Sequence, residues 1–142
     1  MRLTVTRLHP SIPLPTYASA GAAAFDLAAA EDIEIPPRAI RLIGTGLVFA
    51  VPDGHFLAIF ARSSTPLKRG LAVANGVGVL DADYCGPTDE LKIQLLNITD
   101  APISVKVGDR LAQGIVLQAP RVEFVDGEAT APSRGGFGST GG

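Results

Sequence analysis

The stretch Asn75-Gly76-Val77-Gly78-Val79-Leu80-Asp81-Ala82-Asp83-Tyr84 is an apolar run that ends in two carboxylates and a phenol. Its small and β-branched residues alternate, which favours two extended arms joined by a tight bend. The backbone N–H and C=O groups of such an open hairpin must pair with water or with a flat ligand that enters it. Asp81 then stands close to whatever the hairpin holds. An ordinary β-turn with solvated aspartates explains these residues about equally well.

The composition indicates one domain made of many short strands. The chain has 142 residues, of which 46% are hydrophobic, and it includes 16 Gly, 11 Pro and no Trp. This length suits a single domain whose core is filled by Val, Ile, Leu and Ala. The formal net charge is −2, and the sequence has no basic block or stripe. These features argue against polymeric DNA or RNA as a partner.

The cysteine and histidine content argues against a disulfide and a zinc site. Cys85 is the only cysteine, and His9 and His55 lack the spacing of Cys/His metal ligands. The first residues contain no apolar core of signal-peptide length, and no run approaches the ~20 apolar residues of a membrane span. We therefore expect a soluble protein in the cytoplasm that makes no membrane contact.

Alternation of apolar and polar residues predicts about ten short strands. Pro52-Asp53-Gly54 is a hairpin turn signal, and residues 55–61 read as the strand that returns from it. Residues 18–31 are alanine-rich and favour a helix by propensity, although Phe25-Asp26-Leu27 weakens that prediction. Many short strands with frequent turns indicate an all-β fold, either a sandwich or a jelly roll in the form of a distorted β-barrel. Further strands are predicted over residues 3–6, 33–35, 39–51, 91–96, 103–107, 110–117 and 122–125.

The polar residues 62–70 interrupt the strand pattern. They read Arg-Ser-Ser-Thr-Pro-Leu-Lys-Arg-Gly. Ser63 or Ser64 is a candidate cap for a short helical turn whose free N–H groups point outward and bind an anion. A plain loop rich in Ser, Thr and Pro is the alternative.

The composition changes after Asp126, where Gly becomes frequent and Phe137 is the one large apolar residue. We therefore expect a β domain over residues 1–126 and a flexible arm over residues 127–142. Gly and hydroxyl residues around one aromatic suit a flap that wraps phosphates with backbone N–H groups while the ring stacks on a base. A low-complexity tail is the alternative.

Five segments, taken together and in this order, resemble the homotrimeric dUTP nucleotidohydrolase (dUTPase) family over essentially the whole chain. One such motif alone is weak, whereas five in register are specific. The segments are Ala20-Gly21-Ala22-Ala23-Ala24-Phe25-Asp26-Leu27, Arg62-Ser63-Ser64, residues 75–84, Gly108-Asp109-Arg110-Leu111-Ala112-Gln113 and Gly135-Gly136-Phe137-Gly138-Ser139-Thr140-Gly141.

The resemblance implies a jelly-roll homotrimer that hydrolyses dUTP to dUMP and pyrophosphate, with Mg²⁺ on the triphosphate and with active sites shared between subunits. This reaction keeps uracil out of DNA and supplies dUMP for thymidylate synthesis. The edge of a pyrimidine alternates acceptor and donor groups, which backbone amides and carbonyls match. The open hairpin is thereby identified with the uracil site.

The resemblance also implies a role for each matching residue. The base that activates water matches Asp81, the ring that packs on the sugar matches Tyr84, and the carboxylate that orients the hydrated metal matches Asp26. Attack on the α-phosphorus requires a positioned water, a base, and groups that neutralise the charge on the leaving pyrophosphate. The residues that match substrate-binding positions are Arg62, Ser63, Ser64, Asn75, Gly78, Val79, Gln113, Arg134, Gly136, Phe137, Gly138 and Ser139.

Three departures from the family pattern affect these expectations. Ser64 stands where the second motif usually has glycine, so we expect a different backbone approach to phosphate there. The arginine of the fifth motif commonly stands at the position of Pro132, and Arg134 is the candidate to replace it. The turn over residues 85–90 is longer than the usual form and reads as a surface insertion.

Two other functions remain open on the sequence. The related dCTP deaminases share the fold and an Arg-Ser-Ser string, but their third motif runs to Asp-Pro-Gly-Phe, and residues 81–84 here read Asp-Ala-Asp-Tyr. No glutamate is placed as the acid/base for deamination, either in a deaminase or in a bifunctional deaminase and dUTPase. A non-catalytic jelly-roll module that binds nucleotides leaves the joint occurrence of Asp81, Phe137, Arg62 and Gln113 unexplained.

Overall fold

The computed structural model describes residues 1–135, and the regular secondary structure of this part is eleven short strands and one five-residue helix. The predicted all-β class is therefore confirmed. The elements are β1 (Thr4–Arg7), β2 (Phe25–Ala28), β3 (Ile33–Ile35), β4 (Ile40–Gly44), β5 (Leu47–Ala50), β6 (His55–Ala61), α1 (Thr65–Arg69), β7 (Leu71–Val73), β8 (Gly78–Leu80), β9 (Lys92–Asn97), β10 (Ile103–Val105) and β11 (Arg110–Gln118).

The strands form small antiparallel sheets. The largest has the order β2-β11-β6-β8, and a second has the order β4-β9-β7. Two further pairs, β1 with β5 and β3 with β10, complete the arrangement, which is consistent with the predicted jelly roll. Among residues 1–135 no helix is long and apolar enough to cross a membrane.

The core is formed by aliphatic side chains that alternate along the strands. Leu27, Leu57, Leu95 and Leu111 are fully buried, together with the ring of Phe49. Each such side chain contributes roughly 1.5–3 kcal/mol through removal of its apolar surface from water. The composition anticipated this core, because the chain has few aromatic residues and no Trp.

Gly114 allows β2 and β11 to approach closely. A Cβ atom at this position would lie 2.7 Å from the ring of Phe25, so any larger residue would displace that ring or the strand. With glycine there, Gly114 pairs with Phe25, and the preceding residue of β11, Gln113, pairs with Asp26. The close approach therefore sets the register that brings two predicted site residues together.

Two segments differ from their predictions. Residues 18–31 contain no helix, because the side chains of Phe25 and Leu27 are buried on one face of β2 and this two-residue period requires an extended backbone. The predicted strand over residues 122–125 is wrong, since that segment has no strand partner within residues 1–135. Val122 and Phe124 are 68% and 94% exposed there.

Candidate functional site

Asp26, Arg62, Arg110 and Gln113 meet at one end of the largest sheet, and we call them the Asp26 cluster. Arg62 follows β6, and its Nε lies 2.7 Å from Oδ1 of Asp26. Nη1 of Arg110 lies 3.1 Å from Oδ2 of the same carboxylate. Gln113 is the β-partner of Asp26, and its Nε2 donates to the carbonyl oxygen of Ala61 over 2.9 Å. One carboxylate thus holds two guanidinium groups beside an amide.

The charge of the Asp26 cluster is unbalanced. Two arginines face one aspartate, which leaves an excess of one positive charge. The Asp26 side chain is 17% exposed, whereas that of Arg110 is 57% exposed. Guanidinium groups present planar sets of donors that match carboxylate and phosphate oxygens. The cluster can therefore accept an anionic group from solvent without losing the internal ion pairs.

The helical turn predicted after Arg62 is present as α1. Ser64 occupies its N-cap position with φ −88° and ψ −14°, and its side chain makes no capping hydrogen bond. Of the two interpretations that the sequence left open, the structure has the helical turn and not the plain loop, and the predicted side-chain cap is wrong. The Ser64 backbone conformation is open to any L-amino acid. The expectation that serine in place of glycine changes the backbone approach to phosphate stays a prediction, because these angles do not compare the two residues.

Arg69, at the end of α1, forms an ion pair with Asp109. Nη2 of Arg69 lies 2.6 Å from Oδ2 of Asp109, and the same oxygen accepts the backbone N–H of Lys106 over 2.8 Å. The hydrogen bond from Arg69 lowers the pKa of the Asp109 carboxyl below its ordinary value, although partial burial opposes this. The pair therefore stabilises the fold above the unfolded-state pKa of about 3.9 and loses this contribution as the pH falls through the lowered pKa.

The stretch around Gly76 is the predicted bend between two extended arms, but its arms lie in different sheets. β7 pairs with β9, whereas β8 pairs with β6. Gly76 has φ 71°, which glycine adopts without strain, and its N–H donates to the carbonyl oxygen of Val73. Gly78 is buried against Ile59, while Asn75 and Val79 are exposed. The bend consequently presents an open edge rather than a closed hairpin.

Asp81 lies directly after β8, at the other end of the largest sheet. Its carbonyl oxygen accepts the N–H of Tyr84 over 3.2 Å, and the side chains of both residues are exposed. Asp81 opens onto a cleft of about 910 Å³. We call this the Asp81 cleft. It is lined by Asp53, Gly54, His55, Phe56, Asp81, Ala82, Asp83, Gln118, Ala119, Pro120 and Arg121.

The Asp26 cluster and the Asp81 cleft are far apart within the chain. Leu80 pairs with Leu57 on β6, so Asp81 lies beside Phe56, whereas Arg62 follows the last residue of that strand. At ~3.3 Å per residue, the six residues from Phe56 to Arg62 span about 20 Å. The structure thus brings Asp26, Arg62 and Gln113 together but leaves Asp81 at the opposite end of the sheet.

The remaining predicted site residues divide between the two ends and the C-terminus. Ser63 and Ser64 follow Arg62 at the Asp26 cluster, and Arg134 is exposed. Sequence reasoning did not assign Arg110 to the site and missed the Arg69–Asp109 pair. The Gly-Asp-Arg turn before β11 was the available signal, because Gly108 has φ 86° and sets the direction of the residues that follow. Gly136, Phe137, Gly138 and Ser139 lie outside the described residues.

The single carboxylate of Asp26 fits a metal ion that is already bound to a phosphate-containing ligand. Within residues 1–135 no group of three or more His, Cys, Asp and Glu side chains could hold an ion. Mg²⁺ prefers oxygen ligands, keeps several waters and commonly binds through one or two carboxylates plus substrate phosphates. Asp26 is the one carboxylate in its cluster, and a carboxylate has about four acceptor positions, of which the arginines use two. It can therefore hydrogen-bond to metal-bound water.

Comparison with known proteins gives a consistent result. Residues 10–141 match the dUTPase family. A deoxyuridine 5'-triphosphate nucleotidohydrolase of Wolinella succinogenes is 43% identical over 144 residues, which cover 99% of this chain and 95% of that relative. The crystal structure of the Streptococcus mutans dUTPase is 32% identical with a TM-score of 0.78, and the match covers 86% of this chain and 98% of that one.

A more distant structure shares the fold. The mutant dUTPase of Staphylococcus aureus phage phi11, which coordinates a structural Mg(II) ion, has a TM-score of 0.81 at 22% identity. The match covers 92% of this chain and 99% of that one. At this identity the similarity concerns the fold alone.

Proposed function

This chain belongs to the dUTPase family, and from this premise we propose that it hydrolyses dUTP to dUMP and pyrophosphate. The observation that carries the proposal is the pairing of Arg62, Arg110 and Gln113 around Asp26, together with the family match over residues 10–141. The reaction removes dUTP before uracil enters DNA and supplies dUMP for thymidylate synthesis. A free nucleotide is its substrate, so the cytoplasm is the compartment we propose.

The Asp26 cluster is the proposed phosphate site. Arg62 and Gln113 bind phosphate oxygens there, and Ser63 and Ser64 add hydroxyl and backbone donors. The excess positive charge of the cluster supports this assignment, since a triphosphate carries ~4 negative charges and charge-assisted hydrogen bonds are the strong ones. The acidic net charge of the whole chain makes such a local concentration of guanidinium groups necessary.

The open edge around Asn75 is the proposed uracil site. Asn75, Gly78 and Val79 offer backbone groups to the pyrimidine edge, and the Tyr84 ring packs on the deoxyribose. A 2′-hydroxyl against that ring would lose its water without gaining a partner, which disfavours ribonucleotides. Asp81 is the proposed base: its exposed carboxylate removes a proton from the water that attacks the α-phosphorus.

Mg²⁺ is the proposed cofactor, and Asp26 would contact it through bound water. When bound, the ion neutralises charge on the triphosphate oxygens. The donor set at Asp26 supports this role. The Arg62 and Arg110 guanidinium groups hold the Asp26 carboxylate in place and leave its remaining acceptor positions for water.

A homotrimer with shared active sites is the proposed assembly. A separation of about 20 Å along β6 keeps Arg62 and Asp81 of one chain from acting on the same phosphorus. Between them the outer face of the sheet is apolar, with Val79 and Leu117 exposed to 61% and 39%. Such a face suits contact with a second copy. The phosphate site of one chain would then lie beside the Asp81 cleft of its neighbour.

The C-terminal arm is proposed to complete the site. In this proposal residues 1–126 form the β domain and residues 127–142 close over the nucleotide of a neighbouring subunit. The exposure of Val122 and Phe124, which precede the arm, is consistent with a segment that leaves its own domain. Phe137 covers the uracil, while Arg134, Gly136, Gly138 and Ser139 contact phosphates.

The proposed activity is tested by pyrophosphate release with Mg²⁺ from dUTP, dCTP, dTTP and UTP in parallel. We expect release from dUTP at a rate at least about 100-fold above that from the other three, because the backbone edge and Tyr84 select both base and sugar. Ammonia is followed in the dCTP sample. Its release would replace the proposal with a deaminase or a bifunctional enzyme, and no release from any nucleotide would indicate a module that only binds.

Mixing two inactive variants tests whether the sites are shared. Arg62→Ala and Asp81→Asn are each expected to be nearly inactive. If each site combines residues of two chains, trimers formed at random from an equal mixture carry both intact residues in about a quarter of their sites. We expect pyrophosphate release from dUTP to recover to about that fraction of the unmodified activity.

The matched control is a mixture of Asp81→Asn with the double variant Arg62→Ala/Asp81→Asn. This mixture contains no intact Asp81 and is expected to stay inactive. Native mass spectrometry establishes that mixed trimers have formed. Inactive mixed trimers of the two single variants would show that one chain supplies both residues.

A further inference from the structure

The helix α1 has few attachments to the rest of the molecule. It is five residues long and directly follows Arg62, Ser63 and Ser64. Thr65 is its one buried residue, and its hydroxyl donates to the carbonyl oxygen of Leu111 over 3.3 Å. A helix of this length has little stability of its own, and its position therefore depends on tertiary contacts. The placement of Ser63 and Ser64 depends on those same contacts.

At the other end of α1, the carbonyl oxygen of the C-cap residue Gly70 accepts the N–H of Ile98. The Arg69–Asp109 pair adds a second side-chain attachment there. Nη2 of Arg69 lies 2.6 Å from Oδ2 of Asp109, and each side chain is 29% exposed. Asp109 is itself fixed, because its Oδ2 accepts the N–H of Lys106 and its carbonyl oxygen accepts the N–H of Ala29. The pair therefore joins the end of α1 to a turn that is anchored at the end of β2.

The turn held by Asp109 leads directly into the Asp26 cluster. Arg110 is the next residue, and its guanidinium contacts the carboxylate of Asp26. Its carbonyl oxygen accepts a long hydrogen bond of 3.5 Å from Nη1 of Arg62. A shift of the turn relative to α1 would move Arg110 and the Arg62–Ser64 segment apart, although neither Arg69 nor Asp109 belongs to the cluster.

We propose that Arg69 is a positioning residue for the triphosphate. Through Asp109 it holds α1 and the β10–β11 turn at the spacing at which Arg62, Ser63 and Arg110 converge on phosphate oxygens. This inference rests on the proposed function and extends it to a residue that makes no contact with substrate. It assigns Arg69 to the phosphates and not to the proton transfer, since Asp81 lies at the other end of the sheet, beside Phe56.

The test compares Arg69→Met with Lys68→Met. Lys68 is exposed on the same last turn of α1, so its substitution removes the same charge from the same helix end. We expect Arg69→Met to raise the KM for dUTP about 10-fold while kcat changes by less than about threefold, the result of losing binding shared by ground state and transition state. Lys68→Met should leave both constants near those of the unmodified protein, and Arg69→Lys should restore part of the KM because a point charge still reaches Asp109.

A binding measurement separates positioning from general damage to the fold. The compound dUpNHpp is a dUTP analogue in which an imido group replaces a bridging oxygen of the triphosphate. It therefore retains all three phosphates, whereas dUMP has one. Arg69→Met should weaken dUpNHpp binding about 10-fold in calorimetry and leave dUMP binding within about twofold, because most of the misplaced donors face phosphates that dUMP lacks. Thermal unfolding is followed for each variant, and Arg69→Lys is compared in the same way if Arg69→Met unfolds early.

Three results would overturn the proposal. The first is that Arg69→Met and Lys68→Met have the same KM for dUTP. The second is that Arg69→Met weakens the binding of dUpNHpp and of dUMP by the same factor. The third is that the losses in KM caused by Arg69→Met and by Asp109→Asn add up in the double variant. Failure of the proposed function is distinguishable, because the unmodified protein and Lys68→Met would then release no pyrophosphate from dUTP.

Discussion

Replacing Asp81 by Asn is expected to lower kcat for dUTP by a factor on the order of 10² or more and to leave nucleotide binding nearly unchanged. Asparagine keeps the shape of the side chain but cannot accept the proton of the attacking water. The carboxylate lies exposed at the end of β8, away from the Asp26 cluster that we assign to the phosphates, so binding should survive. Pyrophosphate release gives kcat, and calorimetry with dUpNHpp gives the dissociation constant.

Asp83→Asn is the matched control for this experiment. Asp83 is also exposed and lines the same cleft, so its substitution makes the same change of charge two residues away. We expect kcat within about threefold of the unmodified protein, since long-range charge effects in exposed sites are screened. Turnover near the unmodified level in Asp81→Asn, or an equal loss in Asp83→Asn, would move the base to another residue.

The parts of the fold that the sequence predicted well are those with strong local signals. Residues 55–61 were predicted as a strand and form β6, because Pro52-Asp53-Gly54 sets the turn before it and Arg62 follows the last residue. Gly44 and Gly46 broke the predicted run over residues 39–51, and the strands β4 and β5 lie on either side of that break. In each case the turn chemistry and the two-residue period point to the same structure.

Other parts depend on contacts that no local pattern contains. The alanine content of residues 18–31 favours a helix. However, Phe25 packs against Gly114 of β11, which is far away in the sequence, and this contact requires the extended backbone of β2. Residues 122–125 have the composition of a strand and lack a partner within residues 1–135. A strand needs a neighbouring strand to pair its backbone N–H and C=O groups. Whether a neighbour is present depends on the tertiary fold, which the local sequence does not contain.

The candidate site shows the same division. Asp26, Arg62 and Gln113 were each singled out as motif residues, yet their contact follows from the β2–β11–β6 register, which joins positions up to 87 residues apart in the printed sequence. The Arg69–Asp109 pair joins residues 40 apart; Asp109 belongs to a quoted motif, but nothing in the sequence indicated that Arg69 is its partner. The separation of Asp81 from Arg62 is likewise a consequence of strand pairing. Residue type indicated the chemistry, whereas only the topology shows that Arg62 and Asp81 lie at opposite ends of one sheet.

Deleting residues 134–142 is expected to leave a folded protein with little activity. The deletion removes Phe137 and the glycine-rich residues proposed to cover the nucleotide, and it leaves every strand found within residues 1–135 in place. Stacking of a base on an aromatic ring contributes ~1–3 kcal/mol, and closure over a site excludes water from the reacting phosphate. We expect kcat/KM for dUTP to fall about 100-fold or more, with the midpoint of thermal unfolding changed by only a few degrees. Pyrophosphate release and thermal unfolding check the two parts of this expectation.

The control for this deletion removes only Gly141 and Gly142, which keeps every residue proposed to touch the nucleotide and should preserve activity. Phe137→Ala in the full chain then isolates the ring from the backbone donors. If the arm covers uracil with the ring and wraps phosphates with its backbone, Phe137→Ala should lose about 10-fold or more in kcat/KM, less than the deletion. Full activity after deletion of residues 134–142 would refute the role of the arm. Equal losses from deletion and from Phe137→Ala would assign that role to stacking alone, because the glycine and serine donors would then contribute nothing measurable.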